Sequence, residues 1–366
     1  MRILLVTIID NNNIGTSLQT YATVKKLEQM GHDVVVLDYI RDYLFGRQYA
    51  LNLWKDRPWM IRHLFALYYS WINRHKDYKV KRFLQNKGVQ FTKTYHSLHE
   101  IEKDDFNYDL YMTGSDQVWN ISHNNNHFDN VYFLSFAKGE KVAFSASIGT
   151  ESFPNEHVDS IKKYLSEYHF ISVRENKAVD ILNSIGINNV QHVLDPTLLL
   201  TKEEWLQIVG EYNKFSKTSP YLLIYSVEDK CNNLIHEIAL KVAKENNLSI
   251  YEINAAKNIR KRQDVDCFFT NCSPELFIQL FANADYSIVS SFHGTAFSVN
   301  FNIPFLSVAP DRFSSRVKSL LSSLGLEERY INNDINVPMS IIDYKDVNNK
   351  LYDMIKDTES FLSTVC

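Results

Sequence analysis

Short, uninterrupted apolar runs alternate with segments of helical period along almost the whole chain, and that alternation restricts the fold more than any other feature. A strand without polar alternation is buried on both faces, which suits a parallel sheet covered by helices. Residues 2–8 form such a run. Residues 16–30 then place Leu18, Tyr21, Ala22, Leu27 and Met30 at roughly helical spacing, Gly31 ends the helix, and residues 34–39 (VVVLDY) make a second strand. The alternation resumes with strands at 110–113, 142–147, 170–173 and 190–194 and helices at 155–168 and 176–185. After a polar stretch at 201–220 it starts again, with strands at 221–227, 249–253, 286–290 and 304–308 and helices near 233–246, 274–284, 295–301 and 315–324. The expected architecture is α/β, two Rossmann-like domains facing across a cleft. The first covers 1–200 and the second 201–342, and a last helix within 343–366 could pack back on the first.

A segment at 41–90 interrupts the first half. Residues 41–82 hold ten Lys or Arg against three Asp, and Leu64, Tyr68, Trp71 and Ile72 could share one helical face. One reading is a basic, aromatic surface lying against anionic lipid or sugar phosphate. The other, which amphipathic helices follow more often and which is expected here, is a helical insertion whose aromatics pack on the core.

The chain carries 39 Lys plus Arg against 43 Asp plus Glu, a net charge of −4, and is 45% hydrophobic, which excludes disorder and a dedicated nucleic-acid binder. Aromatic residues at 13% suit carbohydrate or lipid contact as well as a core. Cysteines at 231, 267, 272 and 366 form no Cys-x-x-Cys pair, so neither a disulfide scaffold nor a structural zinc site is expected. The first apolar run is too short to span a bilayer and lacks a small-residue cleavage site, and no other stretch approaches about 20 apolar residues. A cytoplasmic protein is expected.

Ligands of open α/β sheets bind beyond the carboxyl ends of the strands, where helix N-termini direct their N–H groups. Polar residues cluster at those ends: DNNNIGTSLQ after the first strand, TGSDQVWN after 110–113, SASIG near 147, Arg174-Glu175, Asp195-Pro196, and SSFHGTAF after 286–289. The last is the sharpest. Ser290, Ser291, His293, Gly294 and Thr295 bring hydroxyls, an imidazole and a helix start together, an anion site with a titratable group beside it, and Gly294 would let a phosphate approach the backbone. The competing reading is a capping Ser with a packed His.

Arg174 could bind a carboxylate or phosphate, each charge-assisted bond contributing about 1.5–3 kcal/mol. It could instead form a structural ion pair with Glu175 or Asp195. Arg312, Arg316 and Lys318 follow the strand at 304–308, and some could face the same anion. Gly114, Ser115 and Asp116 place a carboxylate where it could orient or deprotonate a sugar hydroxyl, or else Asp116 caps an Asx turn and Trp119 fills the core. DNNNIGTSLQ has one Gly where the dinucleotide fingerprint needs three, so no nicotinamide cofactor is indicated. His96-x-x-His99 and His123-x-x-x-His127 lack an acidic or Cys partner nearby, so surface histidines are expected and no metal.

Taken in order, IGTSLQTYA, YDLYMTGSDQVWN, VAFSASIG, ISVRE, VLDPTLLL and SSFHGTAFSVNFNIPF resemble the polysaccharide pyruvyl transferase family. The resemblance implies a fold similar to GT-B glycosyltransferases and transfer of a pyruvyl group from phosphoenolpyruvate to a sugar hydroxyl, commonly as a pyruvate ketal. It places His293 at the phosphoenolpyruvate and a basic residue after the next strand, Arg312 or Arg316. Donor contacts at Arg174, Ser291, Gly294 and Thr295 fit a ligand that carries both carboxylate and phosphate. By the same resemblance the acceptor would meet the first domain through the loop 11–19, including Asn13, Gly15 and Gln19, together with Ser115 and Asp116. The implied partners are phosphoenolpyruvate as co-substrate, with no further cofactor, and a saccharide acceptor. A lipid-linked acceptor would favour peripheral contact with the inner face of the plasma membrane. Two other functions remain open on the residues alone: a nucleotide-sugar-dependent glycosyltransferase, since fold does not fix function, and a catalytically silent glycan-binding protein.

Overall fold

The computed structural model describes residues 1–366 except 46, 75–77, 125, 211–214, 228–231, 255–260, 309–313 and 333–340. It divides into two compact units, one of residues 1–174, 178–192 and 362–366, the other of 175–177 and 193–361. The change of unit after His192 comes ahead of the boundary expected at 200.

Unit 1 opens with β1 (Arg2–Val6), α1 (Ile14–Gln29) and β2 (Asp33–Val36). Asn13 caps α1 by accepting the Gly15 N–H, and Gly31, at φ +90°, lets the chain reverse into β2. The segment that follows folds as α2 (Asp42–Phe45), α3 (Arg47–Leu53), α4 (Trp59–Arg74) and α5 (Lys79–Asn86), and returns to the sheet as the short β3 (Gln90–Phe91). Then come α6 (Leu98–Glu102), β4 (Leu110–Thr113), β5 (Glu140–Ala146), α7 (Val158–Leu165), β6 (Phe170–Val173), α8 (Asn176–Ser184) and β7 (Val190–His192). The sheet is parallel throughout, in the order β3-β2-β1-β4-β5-β6-β7. Its inner strands β2, β1, β4, β5 and β6 are as buried as two covered faces require, while the edge strands β3 and β7 are partly exposed.

Unit 2 carries α9 (Lys202–Val209), β8 (Tyr221–Ser226), α10 (Asn232–Asn246), β9 (Ser249–Asn254), β10 (Cys267–Phe269), α11 (Pro274–Asn283) and β11 (Tyr286–Val289). It continues with α12 (Phe292–Asn300), β12 (Phe305–Val308), α13 (Ser314–Leu324), β13 (Tyr330–Ile331) and α14 (Tyr344–Val365). Its parallel sheet runs β10-β9-β8-β11-β12-β13. In each sheet the strand order reverses once, between β1 and β4 in unit 1 and between β8 and β11 in unit 2.

Two sequence-based expectations change. The polar stretch after 201 is not a plain connection, because α9 lies in it. Thr201 Oγ1 accepts the Glu204 N–H at 3.2 Å and Glu204 Oε2 accepts the Thr201 N–H at 2.8 Å, a capping box that starts a helix burying Trp205, Ile208 and Val209. The aromatics of α4 do not pack on the core either. Leu64 is 64% exposed and Trp71 61%, while the buried side of the helix is Ala66 with half-buried Arg62 and Tyr69. Arg62 Nε donates to the Leu51 carbonyl at 2.7 Å, and Trp54 packs edge-on to Tyr69 at 5.6 Å, so a polar anchor and a short aromatic contact hold the helix by its less apolar side.

Trp205 is fully enclosed, its ring 5.0 Å from Phe297 and its Nε1–H donated to the Thr197 carbonyl at 3.2 Å. Trp205→Ala should lower unfolding free energy by about 3–5 kcal/mol in urea denaturation. At Gly294 an added Cβ would lie 2.9 Å from Val289 Cβ, which belongs to β11 and has no room to yield. Gly294→Ala should therefore cost about 1–3 kcal/mol by the same measurement, through displacement of α12 from its strand.

Candidate active site

Where the order of parallel strands reverses, the two connecting segments leave in opposite directions, and the carboxyl ends stay open to a ligand. In unit 1 that opening lies beyond β1 and β4. Thr7, Asp10 and the cap of α1 come from the β1 side; Gly114, Ser115 and Asp116 come from the β4 side. Asp116, at φ +81°, pairs in a parallel bridge with Ala146 and accepts the Ser147 N–H through its carbonyl at 3.1 Å. The left-handed backbone turns the carboxylate back to the strand ends.

The Asp116 carboxylate is tied on several sides. Thr16 Oγ1, in the first turn of α1, donates to Oδ2 at 2.7 Å, and the Gln117 N–H donates to Oδ1 at 2.8 Å. Arg174, at the end of β6, brings Nη2 to 3.5 Å from Oδ1, and its Nη1–H donates to Ser115 Oγ at 3.3 Å. The Arg174 side chain is fully buried. Ser145 enters from a register shift in β5, at φ +54°, with its N–H held by Ser172 Oγ at 3.0 Å and its hydroxyl 3.5 Å from Ser115 Oγ. Thr7 Oγ1 donates to the Ser115 carbonyl at 2.8 Å, which fixes the β4 loop to the β1 loop. The result is a carboxylate, a guanidinium and several hydroxyls gathered at one strand reversal, suited to orienting a hydroxylic or anionic ligand.

Arg174, Asp116 and Ser115 are thus brought together, with Asn13 and Gly15 at the start of the same α1. Gln19 is fully enclosed one turn further on, where Nε2 donates to Thr7 Oγ1 at 3.2 Å and to Thr20 Oγ1 at 2.8 Å. Thr16 and Ser145 were not singled out from the sequence. The first lies inside IGTSLQ, one helical turn after the cap, which is a readable signal; the second depends on a bulge that no local pattern announces. Asp10 was missed as well. It forms a buried pair with Arg41, Nη2 to Oδ1 at 2.6 Å and Nε to Oδ2 at 2.9 Å, and Arg41 Nη1–H also donates to Asn124 Oδ1 at 2.6 Å. The adjacent carboxylate holds the Arg41 guanidinium well above its ordinary value despite burial.

In unit 2 the corresponding opening lies beyond β8 and β11. Ser291 is the N-cap of α12, its Oγ accepting the Gly294 N–H at 2.9 Å. Gly294, expected to admit a phosphate, has its N–H taken by that cap and its missing side chain replaced by Val289. Thr295 Oγ1 bonds to the Ser291 carbonyl at 3.1 Å and to Ser307 Oγ at 2.9 Å, which locks the helix start to β12. Ser290 Oγ accepts the Val227 N–H at 3.0 Å and lies 3.2 Å from Ser226 Oγ, which joins the β8 and β11 ends. His293 sits in the first turn of α12, 7% exposed, edge-on to Phe292 at 5.5 Å. Arg316, in the first turn of α13, is buried with its guanidinium 6.0 Å from the Phe292 ring centroid. Arg312 lies outside the described residues. Among the described residues no group of three or more His, Cys, Asp or Glu could hold a metal ion.

Three comparisons bear on this geometry. Among solved structures, a glycosyltransferase from Rickettsia africae superposes with a TM-score of 0.54 at 11% identity, over 100% of this chain and 98% of that one. A UDP-GlcNAc 2-epimerase from Methanocaldococcus jannaschii gives 0.54 at 12% identity, over 97% and 92%. A trehalose 6-phosphate synthase from Burkholderia multivorans gives 0.50 at 9% identity, over 100% and 98%. At such identities the likeness is one of fold, the α/β architecture with two parallel sheets found in GT-B glycosyltransferases and in UDP-GlcNAc 2-epimerases. No match was found among curated protein sequences. The family model for polysaccharide pyruvyl transferase matches residues 13–312, a span that runs from the cap of α1 past His293. With that span covering most of its length, the chain belongs to the polysaccharide pyruvyl transferase family.

Proposed function

We propose that this chain transfers a pyruvyl group from phosphoenolpyruvate to a saccharide hydroxyl, forming a pyruvate ketal on a cell-surface polysaccharide or its lipid-linked precursor and releasing phosphate. The observation that carries the reading is the position of His293, at the head of α12 where the strand order of unit 2 reverses, in a chain whose family is polysaccharide pyruvyl transferase.

Phosphoenolpyruvate is small and doubly acidic, so it needs cationic and N–H donors close together. His293 and Arg316 supply them in unit 2, both packed on Phe292. Ser291, Gly294 and Thr295 serve this site by building the helix start rather than by spending their own groups on the ligand: each already holds α12 in place. Arg174 offers a guanidinium to a donor carboxylate or phosphate, steadied by Ser115 and Asp116. Asp116, gripped by Thr16, accepts the proton of the attacking hydroxyl. Asn13 and Gly15 shape the rim where the saccharide rests, and Gln19 keeps the β1 loop in register.

The chemistry balances with these groups. C3 of the enol takes a proton and C2 becomes oxocarbenium-like. A first sugar hydroxyl adds at C2 and gives its proton to a base. The C2–O bond to phosphate breaks, phosphate leaves with the bond pair, and a second hydroxyl closes the ketal with loss of its own proton. The His293 imidazole can deliver the proton to C3 or donate a hydrogen bond to the departing phosphate.

His293→Ala should reduce acceptor-dependent phosphate release from phosphoenolpyruvate by about 100-fold or more, with an unchanged circular dichroism spectrum. Near-normal turnover would remove His293 from the chemistry, and release of a nucleotide from a UDP-sugar would replace pyruvyl transfer by glycosyl transfer. Asp116→Asn should lower kcat by about 100-fold and raise the KM for phosphoenolpyruvate by less than Arg174→Ala does, since the amide oxygen still faces Arg174. Arg174→Ala should act mainly on that KM, raising it about tenfold or more, the loss of one charge-assisted contact.

A further inference from the structure

Helix α4 shows the solvent the wrong face for an ordinary surface helix. Met60, Leu64, Leu67, Tyr68 and Trp71 recur at i, i+4, i+7, i+8 and i+11, the spacing of a core-facing stripe, yet every one of them is exposed, and Trp59 at the helix start is 71% exposed. The enclosed side holds Ala66, and Arg62 is tied there to a backbone carbonyl. Contiguous apolar surface of this extent is uncommon on a monomer and marks an interaction site.

The charge around the stripe selects the partner. Helix α4 has no acidic residue, and exposed Lys55 and Arg57 precede it and exposed Lys79 follows it. Across 41–82 there are ten Lys or Arg and three Asp, in a chain whose net charge is −4. We propose that α4 is a membrane-docking element whose aromatic and aliphatic stripe enters the headgroup region of an anionic phospholipid bilayer while the flanking basic residues meet lipid phosphates. Tryptophan and tyrosine favour that interface because they present an apolar ring with one polar atom.

The helix lies on the bilayer rather than across it. Sixteen residues give about 24 Å, less than the roughly 30 Å hydrocarbon core, and among the described residues no helix is long and apolar enough to cross a membrane. A second copy of the chain is a poorer occupant, since a symmetric contact through this face would set two basic surfaces against each other. The docking is separate from the transfer chemistry and is tested without phosphoenolpyruvate or glycan.

The experiment is flotation of the full chain with phosphatidylcholine vesicles containing or lacking phosphatidylglycerol. The wild type should float about tenfold more with the anionic vesicles, and Leu64→Glu with Trp71→Glu should abolish that excess while sedimentation mass and circular dichroism stay unchanged. Brominated lipids should quench the wild-type tryptophan fluorescence, a readout that needs no variant. Absence of flotation and quenching, or flotation indifferent to the double substitution, would overturn the proposal. A wild-type dimer that the substitutions dissociate would overturn it in favour of a second copy.

Discussion

Parallel strands hydrogen-bonded in an order that reverses once impose the layout of everything else in this protein. On either side of each reversal the connecting segments part, so the strand ends there cannot be covered by the same crossover that covers their neighbours. Within unit 1 the residues at the β1 and β4 ends therefore meet by topology, although Thr16 and Asp116 are a hundred positions apart in the chain, and within unit 2 the same holds for the β8 and β11 ends. Polar residues buried at those points would be destabilising in the middle of a strand. At the reversal they have hydroxyls, amides and an arginine to bond with, and the cost of removing them from water is offset.

The same accounting explains the loop that follows β1. Asp10 and Arg41 are both enclosed, and an isolated charge in that position would cost several kcal/mol, on the order usually given for effective ion desolvation. Their two-point pairing, with Asn124 taking a further guanidinium N–H and the Tyr132 ring centroid 5.8 Å from the guanidinium carbon, makes the arrangement tolerable and specific. Arg41 is also where the helical segment α2–α5 departs. The buried pair thus fixes the root of that segment to the β1 loop, while its far part, α4, is held by its less apolar side.

Much of the architecture was legible in the linear pattern because burial on both faces of a sheet demands unbroken apolar runs. The central strands and most long helices lie within a few residues of where periodicity places them, for instance β4 at 110–113 and β6 at 170–173. The edge strands β3, β10 and β13 were not foreseen: two or three residues with partial exposure carry too little apolar signal. Helix α9 could have been read from Thr-x-x-Glu at 201–204, a capping signal overlooked beneath the polarity of the stretch. For α4 the period was right and the facing was not. A hydrophobic stripe specifies which residues share a face but not what that face meets.

Sequence alone determined the α/β class, the succession of strands and helices, the family, and the polar strand ends at Asp116, Arg174 and His293, because each rests on local pattern or on motifs in fixed order. Tertiary structure alone decided that Asp116 is gripped by Thr16 and Arg174, that Ser145 reaches Ser115 through a bulge, that Gly294 makes room for Val289, and that the α4 stripe faces outward. Those outcomes depend on which strands neighbour one another and on how closely a helix packs, and both are properties of contacts between residues far apart in the chain.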